Sequence, residues 1–131
     1  MKYLLDTAVW LWSVGRVERL SRKGRELLVD SSQEVYFSAA SAWEISIKAS
    51  LGKLRLPDAP ETYIPKRLSE QAIQALPIFQ HHALKVHSLP WHHQDPFDRL
   101  LIAQAQAEGM TILTADREFE KYDVNVVWGG S

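Results

Sequence analysis

The chain has no cysteine among its 131 residues, almost no net charge and no long apolar run. The absence of cysteine excludes a disulfide framework and thiolate chemistry, and it is typical of a protein that works in a reducing cytoplasm. The formal net charge of -1 argues against a surface that binds polyanions everywhere, so contact with nucleic acid requires a local basic patch. No apolar run approaches the ~18 residues that a membrane span needs, so no membrane contact is expected.

The composition that remains is that of a soluble globular protein, with 46% hydrophobic and 24% charged residues. The length fits one domain covering residues 1–131, and such a domain buries a core without disulfides. The opening MKYLLDTAVWLW is apolar, but Asp6 interrupts it and no small-residue cleavage site follows. We therefore expect a buried first strand there and not a signal peptide.

Strand-like and helix-like segments alternate along the chain. The predicted strands are 2–5, 34–37, 75–78, 111–114 and 124–127, and the predicted helices are 8–14, 21–30, 39–51, 65–74, 81–86, 97–108 and 116–121. Three prolines predict a loop or a hairpin-like excursion over 52–65, and 88–94 is predicted to be a loop. The alternation predicts an α/β fold with a mostly parallel sheet.

Four acidic residues lie near predicted strand ends or helix starts: Asp6, Glu44, Asp98 and Asp116. Because the carboxyl ends of parallel strands meet at one edge of a sheet, we expect these carboxylates to converge there. Together they could hold a divalent cation. Carboxylate oxygens are hard ligands that suit Mg²⁺ or Mn²⁺ and not zinc.

Each acid also has a simpler explanation when it is considered alone. Asp6 and Asp116 suit helix N-caps, and Glu44 is spaced for an ion pair with Lys48. Asp98 and Glu44, however, border the apolar faces of their helices, where an acid is costly unless it is paired or bound to a metal. A shared site is therefore favoured over four separate structural roles.

The motifs LLDTAVWLW, SAASAWEISIKASLGKLRL, DPFDRLLIAQA and TILTADREF resemble those of the PIN-domain family, in particular its VapC-like toxin branch. The resemblance runs from near the N-terminus to Phe119. It implies a three-layer α/β/α sandwich with a mostly parallel central sheet. It also implies a Mg²⁺- or Mn²⁺-dependent endoribonuclease, the toxin of a type II toxin-antitoxin system.

The four acids of that family match Asp6, Glu44, Asp98 and Asp116 in this sequence. Asp6 and Asp98 are expected to be the most direct metal ligands. Glu44 and Asp116 are expected to complete the metal site directly or through water, and one of them could accept the proton of the attacking water.

Three further polar residues are expected to support these acids. Thr7 and Thr114 are predicted to orient carboxylates, while Asp95 is predicted first to cap the helix that carries Asp98 and second to support the site. The resemblance further implies an RNA substrate, a small cognate antitoxin and a homodimer. It gives neither the RNA target nor the number of metal ions.

Two other features of the sequence attract a functional interpretation. Five histidines fall in a short segment, but they form no i,i+4 pair and no cysteine joins them, so a solvated loop is favoured over a zinc site. These residues are His81, His82, His87, His92 and His93. A basic run from Arg16 to Arg25 could follow an RNA backbone, although a solvated face is the more common role of such a run.

The aromatic residues favour packing over recognition of bases. Trp10, Trp12 and Trp43 lie near the predicted cleft, and core or dimer packing is expected of them before base stacking.

Other classes of protein fit the sequence less well. A phosphoacceptor receiver domain needs paired acids near its first strand, and only Asp6 is present there. A haloacid-dehalogenase-like phosphatase needs Asp-x-Asp, and Ala8 stands at the second position. A PIN-fold module that binds RNA or protein with little or no catalysis remains open, because a fold alone does not establish an activity.

Overall fold

A five-stranded parallel sheet forms the centre of the computed structural model, which describes residues 1–131. The strands are β1 (Lys2–Leu5), β2 (Glu34–Ser38), β3 (Gln74–Leu76), β4 (Thr111–Thr114) and β5 (Val126–Trp128). Their spatial order is β3-β2-β1-β4-β5, and every neighbouring pair is parallel. The predicted sheet is therefore confirmed.

Six α-helices connect these strands: α1 (Thr7–Gly15), α2 (Arg22–Val29), α3 (Ala39–Ser50), α4 (Pro60–Gln71), α5 (Gln80–Lys85) and α6 (Pro96–Glu108). Three short 3₁₀ segments cover Val17–Arg19, Val86–Ser88 and Arg117–Lys121. None of the helices combines the length and the apolar character that a membrane crossing requires.

The sheet separates two hydrophobic cores. Leu4 and Leu5 are neighbours on β1 and face opposite sides of it, so each belongs to a different core. On one side Trp10 of α1 is completely buried, together with apolar residues of α2 and α4. On the other side Leu101 and Ile102 of α6 are completely buried. These two layers around the sheet confirm the α/β/α sandwich.

Helix α4 is where the sequence prediction was most inaccurate. The helix begins at Pro60, five residues before the predicted start, and Gln74 belongs to β3. Proline suits the first helical position, where the backbone N–H has no partner in any case. Both Pro60 and Pro65 carried that signal, but Pro65 lies inside the helix.

Smaller differences concern element ends. Strand β3 stops before Pro77, which has no N–H to continue a ladder, although the prediction extended to residue 78. The last strand is Val126–Trp128 and not 124–127, and the predicted helix after Asp116 is a 3₁₀ segment. The helix that follows Asp95 and the strand Thr111–Thr114 lie where they were predicted.

The topology brings several chain segments to one edge of the sheet. Asp6 follows β1 directly, and Thr114 is the last residue of the neighbouring strand β4. Helix α3 begins directly after β2. This edge is the one at which an open parallel sheet binds its ligands.

Candidate metal centre

Asp6 is fixed by both of its carboxylate oxygens. As the N-cap of α1, its Oδ1 accepts hydrogen bonds from the backbone N–H groups of Ala8 at 2.7 Å and Val9 at 3.3 Å. Its Oδ2 accepts from the hydroxyl of Thr114. Burial raises the pKa of Asp6, and these hydrogen bonds oppose that rise only in part. The charge of Asp116 raises the pKa further, so the two acids are near each other.

Asp116 is attached to the same threonine. Its backbone N–H donates to Thr114 Oγ1 at 3.0 Å, while its Oδ1 accepts from the backbone N–H of Glu118 at 2.9 Å. One hydroxyl therefore links β4 to two predicted site acids. Thr114 contacts the carboxylate of Asp6, which is the kind of contact that its predicted role requires.

Asp98 lies at the point where the acids converge. It stands in the first turn of α6, capped by Asp95, whose Oδ1 accepts from two backbone N–H groups at 2.8 and 3.1 Å. Burial is the main cause that raises the pKa of Asp98 to about 8. The other causes are the charges of four neighbouring carboxylates: Asp95, Asp6, Glu44 and Asp116.

Glu44 is buried in α3 and has one unsatisfied oxygen. Its Oε2 accepts from Lys48 Nζ at 2.7 Å, but its buried Oε1 has no hydrogen-bond partner. The hydrogen bond to Glu44 raises the pKa of Lys48, and the charges of Asp95 and Asp98 act in the same direction. A buried carboxylate oxygen without a partner is costly, and a bound cation is one way to satisfy it.

The donor set fits a hard divalent cation. All four predicted acids are carboxylates, and burial and mutual repulsion hold protons on part of them in the absence of positive charge. A cation such as Mg²⁺ or Mn²⁺ removes that repulsion and favours the ionised carboxylates. Glu44 Oε1, which is buried without a hydrogen-bond partner, is a further oxygen that such an ion would satisfy.

His93 belongs to this site, although the sequence prediction placed it in a solvated loop. Its Nε2 lies 3.0 Å from Asp98 Oδ2 and 2.9 Å from Asp116 Oδ2. The potential ligand atoms of these three residues all lie within 4.8 Å of one another, and this tight group includes neither Asp6 nor Glu44. The signal in the sequence that pointed to the site was that His93 stands two residues before Asp95, a residue predicted to support the acids.

Thr7 has a different role from the one predicted. Its hydroxyl donates to Ser41 Oγ at 2.8 Å, and both residues are buried. The contact ties the start of α1 to α3 and involves no carboxylate.

His82 also corrects the interpretation of the histidine segment. It is completely buried, and its Nε2 lies 2.8 Å from Glu108 Oε2. The backbone N–H of Phe79 donates to His82 Nδ1 at 3.0 Å, which places the ring proton on Nε2 toward Glu108. A ring that offers a proton on this side is a hydrogen-bond donor to α6 and not a metal ligand.

The tryptophans divide between the core and the site edge. Trp10 is completely buried in the core, as predicted. Trp43 is 58% exposed and packs edge-to-face against Phe97 at 5.1 Å between ring centroids. Since Trp43 precedes Glu44 and Phe97 precedes Asp98, this aromatic pair lies beside the acids.

A cavity of about 700 Å³ lies away from the acids. It is lined by Arg25 and Leu28 of α2 and Arg67 of α4, among others. None of the four predicted acids lines it. The candidate chemistry therefore belongs to the sheet edge and not to this cavity.

A family model described as "PIN domain" matches residues 3–125, which is most of the chain. The chain belongs to the PIN domain family. The match includes all four acids that converge at the sheet edge, so the sequence resemblance to this family is confirmed.

Solved structures show the same PIN fold over the whole chain. VapBC2 from Rickettsia felis, bound to a DNA fragment from its promoter, is similar with a TM-score of 0.73 and 16% identity, covering 98% of this chain and 99% of that one. DNA-bound VapBC from Salmonella typhimurium gives 0.68 and 18% identity, covering 97% of each chain. FitAcB from Neisseria gonorrhoeae gives 0.61 and 21%, covering 96% of each.

One curated relative of this PIN domain has a named activity. Ribonuclease VapC16 of Mycobacterium tuberculosis is 43% identical over 44 residues, which are 34% of this chain. The matched segment spans 31% of that relative, about a third of its length.

Proposed function

We propose that this PIN domain is a Mg²⁺- or Mn²⁺-dependent endoribonuclease that hydrolyses RNA phosphodiester bonds and serves as the toxin of a toxin-antitoxin module. The observation that carries the proposal is the environment of Asp98. Its carboxylate is buried among the charges of Asp6, Glu44 and Asp116, and Glu44 Oε1 has no partner. The local similarity to Ribonuclease VapC16 supports the choice of RNA as substrate.

The acids have unequal roles in this proposal. Asp98 and Asp6 would hold the metal ion, and Glu44 and Asp116 would complete its surroundings directly or through water. When bound, such an ion supplies positive charge to the phosphate oxygens and lowers the pKa of a water molecule. If Glu44 meets the ion only through water, its unpartnered Oε1 would instead be available to accept a proton from the attacking water.

Hydrogen bonds from neighbouring residues hold the acids in fixed positions. Oδ1 of Asp6 accepts two backbone N–H bonds and Oδ2 accepts one from Thr114, which leaves one lone pair on Oδ2 for a ligand. Lys48 holds Glu44 by Oε2 and leaves Oε1 free. Because Asp6 and Asp116 also receive backbone N–H bonds at the starts of α1 and of the 3₁₀ segment, their positions are set before substrate binds.

The proposed partners are RNA, a small cognate antitoxin and a second copy of the chain, all in the cytoplasm. The similarity to VapBC complexes supports an antitoxin, and the absence of cysteine suits a reducing compartment. The homodimer comes from the family resemblance and is tested by the mass of the purified protein in solution.

The activity is tested with purified, antitoxin-free protein, a pool of cellular RNAs, and Mg²⁺ or Mn²⁺. We expect cleavage that EDTA abolishes and that Asp98→Asn reduces by about a hundredfold or more, since one metal-holding carboxylate is lost. Asp123→Asn is the matched control because Asp123 is an exposed acid outside the site.

Cleavage that survives both EDTA and Asp98→Asn would contradict the proposed mechanism. If the protein cleaves no RNA in the pool although it binds RNA or a partner protein, the alternative of a PIN-fold binding module with little or no catalysis is favoured.

A further inference from the structure

We infer that His93 is a positioning residue of the acid site, where its Nε2–H donates to Asp116, lies in close contact with Asp98 and holds the two carboxylates together. The inference rests on the proposed metal site, because it assigns to His93 the task of arranging two of its acids. It differs from the sequence expectation, in which this histidine is a loop residue without a function.

The geometry places one ring nitrogen between two carboxylates. His93 Nε2 is hydrogen-bonded to Asp116 Oδ2 at 2.9 Å and lies 3.0 Å from Asp98 Oδ2, within ion-pair distance. The side chain of His93 is only 15% exposed, so water competes little for these bonds. Asp98 lies in the first turn of α6 and Asp116 lies two residues after β4, so the imidazole joins these two elements across the sheet edge.

The hydrogen bond at the other ring nitrogen, Nδ1, determines whether Nε2 carries a proton toward the acids. The backbone N–H of Asp95 donates to His93 Nδ1 at 3.2 Å, so Nδ1 presents a lone pair. A neutral ring then carries its proton on Nε2, the atom that faces the carboxylates. A metal-ligating imidazole would need a lone pair at that atom. His93 is therefore a hydrogen-bond donor to the acids and not a fifth metal ligand.

A buried network fixes the loop that presents this ring. The hydroxyl of Tyr122 accepts from the backbone N–H groups of His93 at 2.8 Å and His92 at 3.1 Å, and it donates to the carbonyl of Pro90 at 2.9 Å. Arg99 donates to the same Pro90 carbonyl at 2.8 Å. The ring of His93 also packs edge-to-face against Phe119. The position of the imidazole is thus built into the fold.

Because both Oδ2 atoms lie against the same imidazole nitrogen, the Oδ1 atoms are the oxygens that face other partners. Asp116 Oδ1 is used by the N–H of Glu118, whereas no hydrogen bond involves Asp98 Oδ1. The imidazole therefore sets the positions of both Oδ2 atoms before an ion arrives, and Asp98 Oδ1 stays free for a ligand. Groups that orient metal-binding carboxylates typically change metal affinity by ~10–100-fold when removed.

The inference is tested by titrating each purified protein with Mn²⁺ in a calorimeter, with no RNA present. We expect His93→Ala to bind Mn²⁺ at least about tenfold more weakly than the unchanged protein. His93→Gln keeps an N–H donor near the position of Nε2 and is expected to stay within about threefold. His93→Leu keeps much of the volume without a donor and should resemble His93→Ala, which separates the hydrogen bond from packing.

Two controls accompany the titration. His87→Ala removes an exposed ring outside the site loop and should leave the Mn²⁺ affinity unchanged. Asp98→Asn should abolish most of the binding, because it removes a proposed ligand. Thermal unfolding of each variant confirms that the titrated protein is folded.

The outcomes separate this inference from the proposed function. If the unchanged protein binds Mn²⁺, Asp98→Asn does not and His93→Ala binds as well as the unchanged protein, the metal site stands and the role of His93 is wrong. Tighter binding by His93→Ala would also overturn it, because the ring would then compete with the ion. Equal losses in His93→Gln and His93→Ala would contradict the donor role. No binding by the unchanged protein would overturn the metal site and this inference together.

Discussion

Thr114 links two acids of the site through a single oxygen. Its hydroxyl donates to Asp6 Oδ2 and accepts from the backbone N–H of Asp116. Because a hydroxyl has one proton, the bond from Asp116 directs that proton toward Asp6. Thr114 is completely buried at the end of β4, so no water replaces it.

Thr114→Val tests this link at the scale of one atom. The change keeps the branched shape but removes the hydroxyl, and we expect about a tenfold to hundredfold loss of Mn²⁺ affinity and RNA cleavage. Thr111→Val is the matched control on the same strand, since its side chain makes no hydrogen bond to the acids. Equal effects of the two substitutions would contradict the proposed role of the Thr114 hydroxyl.

Single residues also show how far the sequence could predict the site. Asp6 and Asp116 were open to two interpretations, as caps or as site acids, and the structure shows that the two are compatible. In both residues, Oδ1 accepts a backbone N–H bond at the start of the next helical segment. Oδ2 contacts Thr114 in the case of Asp6 and His93 in the case of Asp116. His93 could not be predicted in the same way, because its partners are set by the network around Tyr122 and not by spacing along the chain.

At the scale of elements, α6 is anchored by a buried arginine. Arg99 is 2% exposed, and its guanidinium donates to backbone carbonyls and to the hydroxyl of Tyr122. Trp91 covers it at 3.7 Å from the ring centroid. The carbonyl acceptors belong to the segment from the 3₁₀ turn to the site loop: Val86, Leu89, Pro90 and His93. The arginine thus attaches that segment to α6.

Arg99→Lys tests the shape of this anchor. Lysine keeps the charge but loses the planar fork of donors, so several buried carbonyls lose their partners. We expect the free energy of unfolding to fall by about 2–4 kcal/mol, as measured by urea denaturation. Arg117→Lys is the control, because Arg117 stacks on Trp128 at the exposed surface. A loss below ~1 kcal/mol for Arg99→Lys would show that the carbonyls find other partners.

Helix α4 ends in an unfavourable conformation for its residue. Ala72 caps the helix with φ of 56°, in the left-handed region that favours glycine. We expect Ala72→Gly to raise the free energy of unfolding by up to about 1 kcal/mol, because glycine lacks the Cβ that crowds this conformation. Chemical denaturation measures the change, and Ala72→Val should lower stability. A destabilised Ala72→Gly protein would contradict this explanation.

An element was predicted well where the sequence contains residues that clearly begin and end it. Helix α6 was predicted well because Asp95-Pro96 begins it and Gly109 ends it in a left-handed conformation. Helix α4 was misplaced because Ala59 makes no side-chain cap and Pro65 is tolerated inside the helix. Tertiary packing of Ile64 and Leu68 decides its position, and local propensity does not contain that information.

At the scale of the whole molecule, the acid site couples stability to pH. The pKa of Asp98 rises from 3.8 to about 8 on folding, so between these values the metal-free folded protein binds a proton that the unfolded chain releases. Its contribution to the free energy of unfolding therefore decreases as pH rises through this range and is fully lost above it. The raised pKa of Asp6 acts in the same direction.

Melting temperatures in EDTA at about pH 5 and about pH 8 test this coupling. The unchanged protein should lose more stability over this interval than Asp98→Asn, and each 1 kcal/mol of that difference corresponds to ~3–6 °C in melting temperature. Adding Mg²⁺ at the higher pH should restore stability, because the ion binds only the folded state. The same pH dependence in both proteins would show that Asp98 does not titrate as described.

The order of the strands has a consequence for the timing of synthesis. Strand β1 lies in the middle of the sheet, where Tyr3 pairs with Thr111, and the hydroxyl that holds Asp6 comes from Thr114, 108 residues later. Such distant pairings form slowly, after the intervening chain has been ordered. A growing chain on the ribosome therefore has only part of the acid site until the segment that carries Thr114 and Asp116 has emerged. The proposed nuclease would become active only after that segment has joined the sheet.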